Sequence, residues 1–198
     1  DSQLSQPARL ASDGALVYPG TCRAGLPQGR AARAWRLRVD AARITFEDAV
    51  QGPIEQDLAR DVGDFVLLRA DGLFAYQLAV VVDDAEQDIT HVVRGADLLD
   101  STPRQILLQQ LLGLPTPGYA HLPVAINGAG EKLSKQTRAT PLNRGQARPA
   151  LLAALPFLGQ QPPAELRDAS LAELWQWGIA HWSLENVPRG NAIAETFR

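Results

Sequence analysis

The sequence predicts an α/β fold followed by a small helical subdomain. Apolar runs of strand length alternate with segments that carry helix start and stop signals. One run, Tyr76–Val82, is almost continuously apolar, which is typical of a strand buried on both faces beneath helices. The last third of the chain is mostly helical in pattern. Strands that alternate with capped helices indicate an α/β catalytic core.

The composition indicates a globular protein with enough apolar material for a core. Of the 198 residues, 45% are hydrophobic and 21% are charged, and the net charge is −3. No stretch approaches the roughly 18–20 apolar residues of a membrane span, and the polar start Asp1–Gln6 does not resemble a secretory leader. We therefore expect a cytoplasmic protein without a membrane partner. The single cysteine excludes an intramolecular disulfide and a zinc site made from this chain's cysteines alone.

The first half of the chain contains most of the predicted strands. Residues 1–34 are rich in Ala, Gly, Pro and Arg without periodicity, so we interpret them as a linker. Alternation from Trp35 onward puts every second side chain on one face, and the turn signal Asp71-Gly72 separates two longer apolar runs. The predicted strands here are Trp35–Val39, Ile44–Phe46, Asp64–Arg69, Tyr76–Val82 and Ile89–Val93.

The second half is dominated by helix signals. A hydroxyl at Ser101 and a proline at 103 open a helix that Gly113 ends. Its predicted apolar face consists of Ile106, Leu107, Leu108, Leu111 and Leu112. A strand at His121–Ile126 and a turn at Asn127-Gly128 follow. Two more helices are predicted, one over Ala150–Leu158 and one behind the capping box Ser170-x-x-Glu173.

The only two lysines of the chain lie three residues apart, at Lys132 and Lys135, among 19 basic residues. Two compact ammonium groups on a loop suit the stabilisation of charge on a phosphoryl group and a departing pyrophosphate. A bare K-x-x-K pattern also arises by chance, and a solvated loop is the alternative. The segment 132–148 is strongly basic, so it could meet nucleic-acid phosphates although the whole chain is acidic.

Five ordered segments resemble the class I glutamyl- and glutaminyl-type aminoacyl-tRNA synthetases. They are GLFAYQLAVVVDD from Gly72, ITHVVRGAD from Ile89, TPRQ from Thr102, HLP from His121 and KLSKQ from Lys132. The last is similar to the KMSKS loop of that family, which binds ATP and promotes adenylate formation. The resemblance implies a Rossmann-like class I catalytic core that uses ATP with Mg²⁺, followed by a small helical subdomain that contacts a tRNA stem.

Within this family the details resemble the glutamyl-queuosine branch. The chain reads Ala96 and Gln136 where ordinary glutamyl-tRNA synthetases usually carry Glu and Arg. The resemblance implies activation of L-glutamate and its transfer to queuosine in the anticodon of tRNA(Asp), by an expected monomer. The predicted division is a linker and zinc-binding region over 1–34, a catalytic core portion over 35–126, and the KLSKQ loop with the helical subdomain over 127–198. No anticodon-binding domain is expected.

The resemblance also implies roles for individual residues. Tyr76 and Arg94 match the positions that hold the glutamate, and a guanidinium suits a carboxylate bidentately. Their alternatives are core packing for Tyr76 and a structural ion pair with Asp83 or Asp97 for Arg94. Lys135 matches the ATP-binding lysine of the loop, with Lys132 as its helper in catalysis.

Tyr18 and Cys22 match two of the four zinc ligands of the glutamyl-queuosine branch. The other two ligands are a C-x-C pair expected just upstream, and this chain has no second cysteine. A free thiol without metal at Cys22 is the alternative. The HIGH-like ATP motif and the first glutamate-binding residues of the family also have no counterpart in residues 1–70, so we expect the N-terminal part of the core to be missing.

Two alternatives to the glutamyl-queuosine function remain open from the sequence. The chain could be a catalytic fragment of an ordinary glutamyl-tRNA synthetase, or a non-catalytic paralogue that binds tRNA or a protein partner. We expect His91 and His121 to be structural rather than catalytic. We expect the tryptophans Trp175, Trp177 and Trp182 to pack against the last helices.

Overall fold

The computed structural model describes residues 9–26, 28–133 and 143–194. The chain divides into two compact units. The first unit comes from Asp1–Glu47, Pro53–Val92 and Asp100–Gly118, and the second from Asp48–Gly52, Val93–Leu99 and Tyr119–Arg198. Within the described ranges, no helix combines the length and apolarity that a bilayer crossing requires.

The strands form one four-stranded sheet and two small pairs. The strands are β1 (Trp35–Leu37), β2 (Arg43–Asp48), β3 (Gly52–Asp57), β4 (Phe65–Leu68), β5 (His91–Gly95), β6 (Gly118–Leu122), β7 (Val124–Ile126) and β8 (Ala192–Ala194). The larger sheet has the order β3-β2-β6-β5, and β2 runs parallel to β6 with Asp48 opposite Tyr119. The strands β1 and β4 pair antiparallel, whereas β7 and β8 pair parallel.

Five α-helices lie among the described residues. They are α1 (Leu58–Asp61), α2 (Tyr76–Glu86), α3 (Thr102–Leu112), α4 (Ala147–Phe157) and α5 (Leu171–His181). The predicted α/β fold is therefore confirmed in its coarse form.

The predicted strand over Tyr76–Val82 is wrong, because these residues open helix α2. Val81 is its one fully buried side chain, and the four residues before it, 77–80, are all half-buried. A short apolar run does not by itself distinguish a strand from a buried helix, and the length of the pattern decides between them. Here the pattern continues through Asp83-Asp84-Ala85-Glu86 to a length typical of a helix, and this signal outweighs the valines.

Helix α3 has the predicted ends, but its buried face differs from the prediction. Gly113 follows it with φ of +67°, the left-handed conformation that glycine adopts without strain. Leu111 and Leu112 are 61% and 50% exposed, whereas Gln105 is buried because its amide donates to the Gln77 side-chain oxygen at 2.8 Å. A hydrogen-bonded amide can replace an apolar side chain in a core.

The predicted strand His121–Ile126 is divided in two at Pro123, so that β6 ends at Leu122 and β7 begins at Val124. Proline lacks the N–H that a sheet ladder requires, which explains the break. The helix predicted from Ala150 begins three residues earlier, at Ala147. Pro149 then occupies its first turn, where the missing N–H has no partner to lose.

The core of the second unit contains Val50, Ala120 and Val187, with Leu122 and Leu158 packed against it. Next to this core, Gln160 is 2% exposed. Its amide N donates to the Leu158 and Ser183 carbonyls at 2.8 and 3.0 Å, and its oxygen accepts from Ser183 N at 3.0 Å. Gln160 therefore ties the end of α4 to the segment after α5 without leaving a buried polar group unpaired.

Helix α5 begins with the predicted capping box, in which Ser170 N donates to Glu173 Oε2 at 2.7 Å. The packing predicted for Trp175 in this helix and for Trp182 directly after it is wrong, because they are 54% and 42% exposed. The helix instead buries Leu174 and Gly178. Only Trp177 is half-buried, and its ring stacks on His181 at 4.9 Å.

Candidate functional site

Arg94 lies near the end of strand β5 in the second unit and is half-buried. Its Nε–H donates to Nε2 of His121 at 3.0 Å, and its Nη2 donates to the carbonyl of Leu98 at 3.4 Å. The guanidinium carbon also lies 5.6 Å from the centre of the Tyr119 ring. His121, Leu98 and Tyr119 are therefore among the neighbours that define the position of this cation.

His121 lies on strand β6 and is completely buried. Its second ring nitrogen, Nδ1, is 2.6 Å from Oδ2 of Asp48. The Tyr119 ring stacks on the imidazole with centroids 6.0 Å apart. The imidazole therefore connects a carboxylate on one side with a guanidinium on the other.

Asp48 is the last residue of β2 and is 1% exposed. Its Oδ1 accepts hydrogen bonds from three backbone N–H groups, those of Val50, Gln51 and His121, at 2.9 to 3.1 Å. The Gln51 side-chain amide also donates to the His121 carbonyl at 2.7 Å. The carboxylate is thus fixed by the turn after β2 and by the backbone of β6.

Burial and hydrogen bonding set the charges of this group. Burial alone raises the pKa of Asp48, but hydrogen bonds from Gln51 and His121 reverse the effect and hold it below 3.8. Burial lowers the pKa of His121 below 6.5 and the Arg94 charge adds to this, which outweighs the opposing effects of Asp48 and Asp97. At neutral pH the site contains a carboxylate, a neutral imidazole and a guanidinium.

Lys132 lies in the same unit and contacts the residues that follow β5. Its Nζ is 2.5 Å from Oδ2 of Asp97, and both side chains are partly exposed. Asp97 lies in the short 3₁₀-helix Ala96–Ser101, directly after Arg94 and Gly95. The predicted catalytic lysine and the predicted glutamate-binding arginine are therefore tied to one short segment of chain. Lys135 lies outside the described residues.

Tyr76 is the first residue of α2 in the first unit, and it is 51% exposed. This exposure contradicts the alternative in which Tyr76 packs the core. A phenol at the surface can accept or donate a hydrogen bond.

Tyr18 and Cys22 lie together in the first unit. The phenolic oxygen of Tyr18 accepts a hydrogen bond from the backbone N of Cys22 at 2.7 Å. A hydrogen bond with the Cys22 side chain raises the pKa of Tyr18, and Cys22 is an exposed free thiol. Among the described residues, no group of three or more His, Cys, Asp or Glu side chains could hold a metal ion. A tetrahedral zinc site therefore needs ligands beyond those that this part of the chain supplies.

A cavity of about 740 Å³ lies beside Tyr18 in the first unit. Arg9, Arg23 and Asp40 contribute its charged lining. Arg23 also forms a two-point ion pair with the buried carboxylate of Asp64, at 2.5 and 2.7 Å. This bond with Arg23 holds the pKa of Asp64 below 3.8, so the pair fixes the segment around Tyr18 to the core.

The sequence did not reveal the role of Asp48 at this site. It belongs to no recognisable motif, and 73 positions separate it from His121. His121 was expected to be structural, and its burial agrees with that expectation. Its place in the HLP segment, one of the family-like pieces, was the one signal that linked it to the site.

The chain matches one protein family model over residues 23–168, the model of the tRNA synthetases class I (E and Q), catalytic domain. The match includes Tyr76, Arg94, His121 and Lys132.

Among curated proteins, the chain is similar to three bacterial proteins that carry the name Glutamyl-Q tRNA(Asp) synthetase. The identities are 64% over 91% of the chain for Aromatoleum aromaticum, 62% over 92% for Dechloromonas aromatica and 59% over 95% for Chromobacterium violaceum. The chain spans 57%, 61% and 62% of these relatives. It therefore corresponds to about three fifths of their length.

Among solved structures, the chain is similar to a glutamate tRNA ligase from Elizabethkingia meningosepticum, solved in complex with its amino acid. The TM-score is 0.61 at 24% identity, over 82% of this chain and 36% of that one. The glutamate-tRNA synthetase from Elizabethkingia anophelis gives a TM-score of 0.59 at 24% identity, over 79% and 35%. These similarities establish a shared fold.

Proposed function

Since the chain belongs to the tRNA synthetases class I (E and Q), catalytic domain family, we propose that it is part of an enzyme that activates L-glutamate with ATP and transfers it to queuosine in tRNA(Asp). The observation that carries the proposal is the Arg94 site, where a buried neutral imidazole holds the guanidinium and Lys132 pairs with Asp97, three residues after Arg94. The relatives named Glutamyl-Q tRNA(Asp) synthetase, at 59–64% identity, supply the choice of acceptor.

In the first step, a carboxylate oxygen of glutamate attacks the α-phosphorus of ATP. The bond from that phosphorus to the bridging oxygen breaks, and pyrophosphate leaves with the bond's electron pair. Arg94 binds a carboxylate of the glutamate through two parallel N–H donors. Tyr76 is also assigned to glutamate binding. The assignment of Tyr76 depends on its place in the Gly72–Asp84 motif.

The two lysines stabilise the charge that builds on the phosphates. Lys132 pairs with the partly exposed carboxylate of Asp97, and an ATP phosphate can replace that carboxylate as its partner. Lys135, three residues further along the KLSKQ motif, is assigned to the same polyphosphate because it matches the ATP-binding lysine of the family. Mg²⁺ accompanies the ATP through its phosphate oxygens, and we assign it no protein ligand.

In the second step, a hydroxyl of queuosine attacks the acyl carbon of glutamyl-adenylate. AMP leaves, and the proton of the hydroxyl passes to solvent or to the departing phosphate. We propose that the helical segment with α4 and α5 contacts the tRNA stem, together with the basic stretch 132–148. The enzyme acts as a cytoplasmic monomer.

We further propose that Tyr18 and Cys22 would hold one side of a structural zinc ion, with the remaining ligands from outside the described residues. The zinc would fix the segment that precedes β1. It takes no part in either chemical step.

The proposal is tested by pyrophosphate exchange on the full-length protein. We expect exchange that depends on glutamate, requires no tRNA and is lost in Lys135→Ala. Exchange that requires tRNA(Glu), or charging of tRNA(Glu), would favour an ordinary glutamyl-tRNA synthetase. Absence of any exchange in the wild type would favour a non-catalytic tRNA-binding paralogue.

A further inference from the structure

We infer that Asp48 and His121 are positioning residues for Arg94, so that a fixed imidazole tautomer sets the orientation of the substrate-binding guanidinium. This inference deepens the proposed function and depends on it for the identity of the bound carboxylate. Neither residue was among the predicted site residues. All three side chains belong to the second unit.

The directions of two hydrogen bonds fix the position of the proton on His121. A guanidinium only donates, so Nε2 of His121 must accept from Arg94 Nε, 3.0 Å away. A neutral imidazole with an accepting Nε2 carries its proton on Nδ1. That nitrogen faces Oδ2 of Asp48 at 2.6 Å, and a carboxylate accepts. Only one tautomer satisfies both contacts.

The carboxylate of Asp48 is itself held by backbone N–H groups. Three backbone N–H groups, from Val50, Gln51 and His121, occupy Oδ1 of Asp48 and leave Oδ2 directed at the imidazole. Asp48 and His121 are 1% and 0% exposed, so water does not compete for these bonds. The backbone thus fixes the carboxylate, and the carboxylate fixes the tautomer.

The contacts of Arg94 orient its guanidinium. Arg94 donates from Nε to His121 and from Nη2 to the Leu98 carbonyl, and these bonds restrain the plane and rotation of the guanidinium. Contact with the Tyr119 ring, 5.6 Å away, supports one face. A guanidinium fixed in this way can grip a carboxylate without first losing conformational freedom.

The groups facing His121 come from every strand around it. They are Asp48 from β2, Arg94 from β5, Asp97 from the 3₁₀-helix and the Tyr119 ring from β6 itself. Protonation of His121 would give Nε2 a proton that opposes Arg94 Nε–H. We therefore expect glutamate binding to weaken in acid only after His121 takes up a proton, below its usual range.

Asp48→Asn is the sharpest test because it is nearly isosteric. The amide oxygen can keep the three backbone bonds, but the amide N–H₂ then faces Nδ1. The imidazole must shift its proton to Nε2, where it opposes the donor of Arg94. We expect the KM for glutamate in pyrophosphate exchange to rise about 10- to 100-fold with little change in the KM for ATP. Asp168→Asn, at an exposed aspartate of the same unit, is the matched control and should leave both constants unchanged.

Two replacements of His121 separate positioning from packing. His121→Gln keeps an acceptor within reach of Arg94, whereas His121→Phe keeps the ring and loses the acceptor. Positioning predicts a lower glutamate KM for the Gln variant than for the Phe variant. The reverse order would overturn the inference and make His121 a packing residue.

The tautomer can also be measured directly in the wild type. ¹⁵N NMR of the imidazole should show a protonated Nδ1 and an unprotonated Nε2 at neutral pH. A protonated Nε2 would overturn the inference whether or not the variants fold. If the wild type shows no glutamate-dependent exchange, the proposed function fails instead. If it shows exchange and Asp48→Asn stays within about twofold of its glutamate KM, the positioning role alone fails.

Discussion

The contacts of Arg94 predict a large effect for Arg94→Lys, although the charge is kept. Lysine lacks the planar fork, so the bonds to His121 at 3.0 Å and to the Leu98 carbonyl at 3.4 Å cannot both form. The substrate carboxylate also loses its second, parallel hydrogen bond. Hydrogen bonds to charged groups contribute about 1.5–3 kcal/mol each.

Loss of one such bond and of the fixed orientation corresponds to about 3 kcal/mol, or roughly a 100-fold rise in the glutamate KM. The assay is glutamate-dependent pyrophosphate exchange with ATP saturating. Arg167→Lys, at an exposed arginine of the same unit, is the matched control. A glutamate KM within about threefold of the wild type in folded Arg94→Lys would refute a bidentate grip by this guanidinium.

Four further changes test other parts of the account. Lys132→Met should lower kcat of exchange by about 100-fold with a small change in the glutamate KM, because the charge that Lys132 stabilises develops in the transition state. An unchanged kcat would exclude Lys132 from the mechanism. Gln160→Met keeps the side-chain volume but loses three hydrogen bonds, so the free energy of unfolding in urea should fall by about 2–4 kcal/mol. A fall below about 0.5 kcal/mol would show that these hydrogen bonds do not stabilise the fold. The pKa of His121 is lowered on folding, so the unfolded chain binds more protons and the free energy of unfolding should fall as the pH drops below 6.5. His121→Phe should flatten that part of the pH profile in urea unfolding. The same slope in the wild type and in the variant would be inconsistent with a neutral imidazole. Cys22→Ser should lower the zinc content of the full-length protein measured by mass spectrometry; equal zinc in both proteins would exclude Cys22 as a ligand.

Local signals in the sequence were sufficient for elements whose ends are chemically marked. The capping box at Ser170 and the glycine at 113 defined helix ends because their side-chain and backbone requirements are local. The nature of α2 was missed because its valines have strand propensity, whereas the length of the pattern through Glu86 is typical of a helix. The exposure of Trp175 and Trp182 was missed because periodicity identifies an apolar stripe and not the surface that it packs against.

At the candidate site, too, motifs identified some residues and only the folded structure identified others. Arg94 and Lys132 were found because they stand in recognisable motifs, and the structure ties both to the segment after β5. Asp48 could not be found, because its function arises from backbone N–H groups that only the folded turn directs at one oxygen. His121 belongs to the family-like HLP segment, but nothing in the sequence indicated what its imidazole does. Its role as a hydrogen-bond acceptor is evident only from its contact with Arg94.

The proposed acceptor is tested most directly by the place where glutamate is attached. The full-length protein is incubated with ATP, labelled glutamate and tRNA(Asp) that carries queuosine, and the tRNA is then cut by a nuclease. We expect label in the anticodon-loop fragment, and no label in that fragment when queuosine is absent from the tRNA. Label at the 3′-terminal nucleotide, or on tRNA(Glu), would contradict it.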